Sequence, residues 1–281
     1  MEDCSLLSSH LFGRLATALV LALLLLFGTL PAFAQSHARL SLVGPKAHYL
    51  ALGDSLAFGF QPDFDFAHGY ADDFGSDLKA RGVHDTINLA CPGETSSTML
   101  NGKCPYPFFR KYPYLGSQMN AALKYLAAHR GQVSPVTFNI GSNDLLSVFN
   151  KQNCTVNVSL FNAGLRTLDA NLTHTILPEL HNALVVNGVP TGDLIMVNYY
   201  DPFQNICPNT VPYVRMVNAH LARDVAPYGI MVDAFAAFGG AKIPDPHTCS
   251  YTWMCSVFQD IHATDTGYRV IADAIETSVG Y

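Results

Sequence analysis

One alternation limits this chain more than any other feature. Short, nearly unbroken apolar runs recur along it, separated by longer amphipathic stretches. The short runs read as strands over residues 48–52, 86–90, 136–140, 194–198 and 230–233. The longer stretches read as helices over 70–80, 117–128, 158–187 and 212–226, with a last one over 264–278 after the final strand. A strand covered by helices on both faces has no solvent side to mark with polar residues, so it loses the alternation of a half-exposed strand. Strands and helices that alternate in this way specify an α/β domain: a three-layer α/β/α sandwich around a mainly parallel five-stranded sheet. Ligands of such sheets sit beyond the carboxyl ends of the strands, so chemistry-bearing residues are expected immediately after the apolar runs.

Four polar clusters lie where that rule asks for them. Gly53-Asp54-Ser55 follows the first run, Cys91-Pro92-Gly93-Glu94 the second and Gly141-Ser142-Asn143-Asp144 the third, while Asp260-Ile261-His262 precedes the last helix. Gly53 lets the backbone leave its strand where a Cβ would clash. A serine hydroxyl is a weak nucleophile until a base accepts its proton, and the oxyanion it forms needs preorganised donors. A serine and a histidine with nearby amide donors are therefore the ingredients of acyl transfer, and the clusters hold them. Each donor of this kind typically contributes about 3 kcal/mol of transition-state stabilisation. An imidazole exchanges protons near neutral pH.

Gly53-Asp54-Ser55-Leu56, Gly93 in NLACPGETS, Asn143 in NIGSNDLL and His262 in DIHATDTGY together resemble the four blocks of the GDSL, or SGNH, hydrolase family. The resemblance runs from Tyr49 to the C-terminus and implies the flavodoxin-like SGNH-hydrolase fold. It implies Ser55 as nucleophile, His262 as general base, and an oxyanion hole of Ser55, Gly93 and Asn143. One position departs from the pattern. The family's usual Asp-x-x-His would place an acid where Gln259 stands, and Asp260 is only two residues before His262. Either the Asp260 carboxylate or the main-chain carbonyl of Gln259 is then the orienter of the imidazole. Ala263 occupies a position where many members carry proline. Asp54 reads as a structural hydrogen-bonder, Glu94 and Asp144 as loop-stabilising carboxylates, and Thr264 with Asp265 as a helix cap. Among the remaining histidines, His68 and His247 lie in loops within possible reach of a cleft.

The N-terminus reads as a leader. His10 and Arg14 precede an apolar stretch, residues 15–27, that ends in Ala32-Phe33-Ala34. This is a signal peptide over residues 1–34, cut near Ala34-Gln35, with residues 35–281 as one hydrolase domain. The apolar stretch is short for a bilayer span; left uncleaved, it would anchor the chain to a membrane. Six cysteines remain after the leader, an even number that suits an exported chain. Short separations favour Cys91–Cys104 and Cys249–Cys255, which leaves Cys154–Cys207. No CxxC and no histidine pair at ligand spacing point to a metal, and no cofactor is implied.

A formal charge of −6 lacks the basic excess of a nucleic-acid binder. No G-x-S-x-G elbow, Walker A, H-E-x-x-H or G-x-G-x-x-G sequence occurs. The expectation is a secreted, monomeric serine ester hydrolase: a lipase, esterase or phospholipase acting on small-molecule or lipid esters through an acyl-enzyme on Ser55. The segment 106–115 (YPFFRKYPYL) is rich in aromatic residues, as an acyl-binding wall or a lipid-surface contact would be. A carbohydrate acetyl esterase is the enzymatic alternative, and a non-catalytic binding protein retaining the fold is the rival of another class.

Overall fold

Tyr49, Leu50, Ala51 and Leu52 have no exposed surface, which is why their run carries no polar alternation. They belong to β1 (His48–Gly53), the first strand in a computed structural model that describes residues 41–281. The expected leader, with its cleavage point, lies outside the described residues. β2 (Asp85–Asn88), β3 (Val133–Asn139), β4 (Leu194–Val197) and β5 (Ile230–Val232) complete one sheet. Its order is β2-β1-β3-β4-β5, and every pairing is parallel. The chain order therefore reverses between β1 and β3, which opens a crevice between the loops that leave those two strands.

Helices cover both faces. Tyr70–Leu78 packs with Asp265–Val279, while Gln118–Ala128, Val158–Asn171, Leu177–Ala183 and Val211–Val225 form the other group. The three-layer arrangement matches the expectation, and the strands begin within a few residues of their expected positions. β3 starts earlier than the apolar run suggests. Pro135 hides its first turn of pattern, yet it sits where the β1–β3 register slips, a place where a missing N–H is tolerated.

The long helix expected over 158–187 is corrected to four pieces. It runs as Val158–Asn171, a wide turn Leu172–Ile176 and Leu177–Ala183, and then gives way to a small hairpin of Val185–Val186 and Val189–Pro190. Asn187 and Gly188 both adopt positive φ, the conformation that an Asn-Gly hairpin turn requires and a helix forbids. The helix Ser96–Asn101 was absent from the apolar pattern; it is set by Thr95 and Thr98, whose side chains reciprocally bond each other's backbone N–H.

The three disulfides pair as the separations favour, with Cα–Cα distances of 6.3 Å for Cys91–Cys104, 5.3 Å for Cys154–Cys207 and 5.1 Å for Cys249–Cys255. Each bridge staples loops at the carboxyl end of the sheet. No helix among the described residues is long and apolar enough to cross a membrane.

Candidate active site

The site grows from the turn after β1. Gly53 holds φ at +130°, and a Cβ there would run into the main-chain oxygen of Asn139, so only glycine lets β1 lie this close to β3 while turning outward. Asp54 then caps the single-turn helix Ser55–Phe58, its Oδ1 accepting from the Leu56 N–H at 2.9 Å. The carboxylate is buried and accepts three further bonds: from Asn139 Nδ2 at 2.8 Å, Ser142 Oγ at 3.1 Å and Tyr199 OH at 2.8 Å. Burial nevertheless pushes its pKa up. Asp54 therefore fastens the turn that carries Ser55 to β3 and to the loop after β4 from beneath, the structural role the family resemblance implies.

Ser55 Oγ lies 2.8 Å from His262 Nε2, and His262 Nδ1 lies 2.6 Å from Asp260 Oδ1. The same carboxylate oxygen accepts the His262 backbone N–H at 2.9 Å. One acid thus fixes both the position and the ring orientation of the imidazole. Burial alone would raise the Asp260 carboxyl, but hydrogen bonds and charge from His262 outweigh it and hold its pKa below the usual range. The Gln259 carbonyl accepts nothing from His262 among the described residues. Gln259 takes φ +46°, and this turn brings Asp260 to the ring from two residues away.

The loop carrying His262 is braced without the proline many members have. Ala263 bridges to Thr252, Trp253 N–H donates to the His262 carbonyl at 3.0 Å, and Tyr200 OH donates to the Ile261 carbonyl at 2.9 Å. Thr264 caps the last helix through the Gly267 N–H. Asp265 accepts instead from Gln61 Nε2 at 2.6 Å, and Gln61 Oε1 takes the Trp253 indole N–H at 3.0 Å.

Gly93 takes φ +79° and, with Ser55 and Asn143, faces the same cavity as His262. Neither the Ser55 nor the Gly93 N–H donates a hydrogen bond among the described residues. Asn143 Nδ2 donates to the Glu94 carbonyl at 3.0 Å, which uses one of its two hydrogens and fixes the direction of the other. Glu94 itself is buried behind this loop, and desolvation pushes its pKa up to about 6. Asp144 accepts from the N–H and hydroxyl of Ser96, tying the β3 loop to the helix that follows Gly93. His68 pairs with Asp65 at 2.9 Å and His247 stacks on Tyr251; neither reaches the cavity.

Gln118 escaped the sequence reading. Buried at the start of Gln118–Ala128, it accepts the Gly53 N–H at 2.6 Å and donates to the Gly53 carbonyl at 2.9 Å and to Glu94 Oε2 at 3.1 Å. It stands in for a neighbouring strand and joins the turn that carries Ser55 to the loop that carries Gly93. A lone glutamine at a helix start carries no pattern that marks this role, and the same holds for Tyr199.

The cavity that begins at Ser55 has a volume of about 540 Å³, and beyond the polar end its wall is apolar, with Leu145, Leu146, Val148, Phe161, Phe203 and Tyr213. Tyr106 and Phe109 line it as well. The Cys154–Cys207 bridge joins two of its walls. Such a space takes an extended apolar group, with its reacting atom held between a hydroxyl and hydrogen-bond donors.

Among solved structures, the lipase Lip_vut3 from a goat rumen metagenome superposes with a TM-score of 0.57 at 18% identity, covering 84% of this chain and 98% of that one. Phospholipase A1 from Streptomyces albidoflavus NA297 gives 0.52 at 18% identity, covering 83% and 99%. The acetylxylan esterase Axe2 from Geobacillus stearothermophilus gives 0.52 at 15% identity, covering 86% and 97%. At these identities the likeness is one of fold. No curated protein matches the chain by sequence. Residues 51–270 match the profile of the GDSL-like Lipase/Acylhydrolase family. That match covers most of the polypeptide and all four polar clusters, and by it the chain belongs to the GDSL-like lipase/acylhydrolase family of carboxylic ester hydrolases.

Proposed function

We propose that this ester hydrolase acts on esters of medium and long acyl chains through an acyl-enzyme on Ser55. Ser55 Oγ attacks the ester carbonyl as His262 Nε2 removes its proton, over the 2.8 Å already between them. The Asp260 carboxylate, on Nδ1, holds the tautomer that keeps Nε2 free to accept and stabilises the imidazolium that forms. The carbonyl oxygen, now negative, takes the N–H groups of Ser55 and Gly93 and the Asn143 amide. Collapse of the intermediate breaks the bond to the alcohol oxygen, which leaves with the proton from His262. Water then repeats the sequence on the acyl-enzyme and regenerates Ser55. Every group comes from one chain, so the mechanism needs no second subunit.

The observation that carries the acyl-chain reading is the apolar cavity of about 540 Å³ opening at Ser55. An acetyl group would leave most of that wall wet, whereas each methylene buried there contributes about 0.8 kcal/mol. Turnover of p-nitrophenyl esters from acetyl to palmitoyl, beside phospholipid and acetylated xylan, tests this. We expect kcat/KM to rise with chain length beyond acetyl. A maximum at acetyl, with release of acetate from xylan, would replace the reading with the carbohydrate esterase.

A further inference from the structure

We propose that the mouth of the cavity is a docking face for the uncharged or zwitterionic surface of aggregated lipid, built from exposed aromatic residues on three loops. The inference rests on the acyl-chain reading above and adds where the substrate is met. Phe64 is 69% exposed, Phe108 74% and Phe258 50%, with Val257 beside Phe258 at 95%. None of the three rings lines the cavity, so a single dissolved ester has no use for them. Clustered exposed apolar groups that rim a site mark contact with something larger.

The three loops are physically joined and lead inward. Phe64 meets Phe66 at 6.0 Å between ring centres, Phe66 meets Phe109 at 5.6 Å, and Phe109 meets Phe108 at 4.5 Å. Phe66 also packs on Phe60 at 5.6 Å, whose ring lies 4.7 Å from that of His262. From the other side, Phe258 packs on Trp253 at 5.7 Å, and the Trp253 indole donates to Gln61, next to Phe60. An apolar path therefore runs from solvent to the catalytic pair. An acyl chain leaving a lipid layer pressed on this rim would enter the cavity without crossing water.

Charge selects the surface. Asp63 and Asp65 flank Phe64, and the chain as a whole carries a formal charge of −6. The cations nearest in sequence to Phe108 are engaged: Arg110 lies over the Tyr114 ring and bonds its carbonyl, and Lys111 is paired with Asp72. An anionic headgroup layer would meet net repulsion here. Rings with a polar border suit a neutral interface instead.

The test uses the full mature chain bearing Ser55→Ala, so that lipid is not consumed, and phosphatidylcholine vesicles with or without one part in three of phosphatidylglycerol. We expect cosedimentation with phosphatidylcholine, weakened by phosphatidylglycerol. Adding Phe64→Ser, Phe108→Ser and Phe258→Ser should lower vesicle partitioning by about tenfold or more. In the chain with Ser55 intact, the triple change should leave turnover of dissolved p-nitrophenyl butyrate within about twofold, which also reports that it folds. Trp253 is the only tryptophan, so brominated phosphatidylcholine should quench the intrinsic fluorescence of the unsubstituted rim. Undiminished partitioning of the triple variant, tighter binding to anionic vesicles, absence of quenching, or retention on insoluble xylan in place of vesicles would each overturn the proposal. Vesicle binding is read without turnover, so failure of the acyl-chain preference is seen separately in the ester panel.

Discussion

Asp260 stands two residues before His262, where the spacing usual in this family would put it three before. At +46° the Gln259 backbone turns back, and the carboxylate reaches Nδ1 at 2.6 Å from the shorter tether. The sequence left two orienters open because a one-residue difference cannot be read without the dihedral that absorbs it. That Ser55, Gly93, Asn143 and His262 would face one cavity was legible for the opposite reason: three follow strand ends and the fourth shortly precedes the last helix. If the carboxylate is the orienter, Asp260→Asn presents an amide whose NH₂ favours the wrong imidazole tautomer. We expect kcat on a soluble ester to fall by about 10³- to 10⁴-fold, with KM little changed. A near-normal rate would return the role to the Gln259 carbonyl.

At the scale of elements, the site depends on how loops are held together. The turn after β1 and the loop after β2 share Gln118, which fills the main-chain bonds of Gly53 and donates to Glu94. No periodicity encodes that contact, since it crosses from a helix start to a strand end far away in sequence. The Asn-Gly hairpin at 187–188 was written in the sequence, but the apolar run around it masked the turn. Glu94 carries a stability cost that can be measured. Its pKa rises from an ordinary value near 4.5 to about 6 because burial disfavours the charge. The folded state therefore binds the proton more tightly than the unfolded chain does. The stabilisation is complete below about pH 4.5 and is lost as pH rises through 6. A shift of this size corresponds to about 2 kcal/mol. Glu94→Gln keeps an acceptor for Gln118 and has no charge to bury. Its Tm relative to the wild type should therefore climb by roughly 4–8 °C between about pH 4.5 and pH 8. A difference that stays flat with pH would mean that Glu94 titrates alike in the folded and the unfolded chain.

For the whole molecule, the sheet order β2-β1-β3-β4-β5 explains why residues so distant in sequence meet. The reversal between β1 and β3 opens the crevice, and the loop after β4 lines it with Tyr199 and Tyr200. The layers were legible because covered parallel strands write themselves as plain apolar runs; the cavity was not, since its volume arises from loops whose lengths say nothing of their packing. Those loops are where all three disulfides lie. Cys91–Cys104 closes the Gly93 loop, Cys154–Cys207 joins two cavity walls, and Cys249–Cys255 closes the loop before His262. The sheet beneath them has its own continuous core of buried aliphatic and aromatic residues. Reduction should then act on function before fold. Such bridges each contribute about 2–4 kcal/mol, mainly by limiting loops in the unfolded chain. Under mild reductant we expect long-chain ester turnover to fall at temperatures where the far-ultraviolet circular dichroism is unchanged, and the melting temperature to drop. Three disulfides suit an oxidising compartment, which the expected leader would supply. Chain recovered from outside the cell should begin near Gln35 and show no free thiol among its six cysteines. Six titratable thiols in active exported material would contradict both the bridges and the compartment they imply.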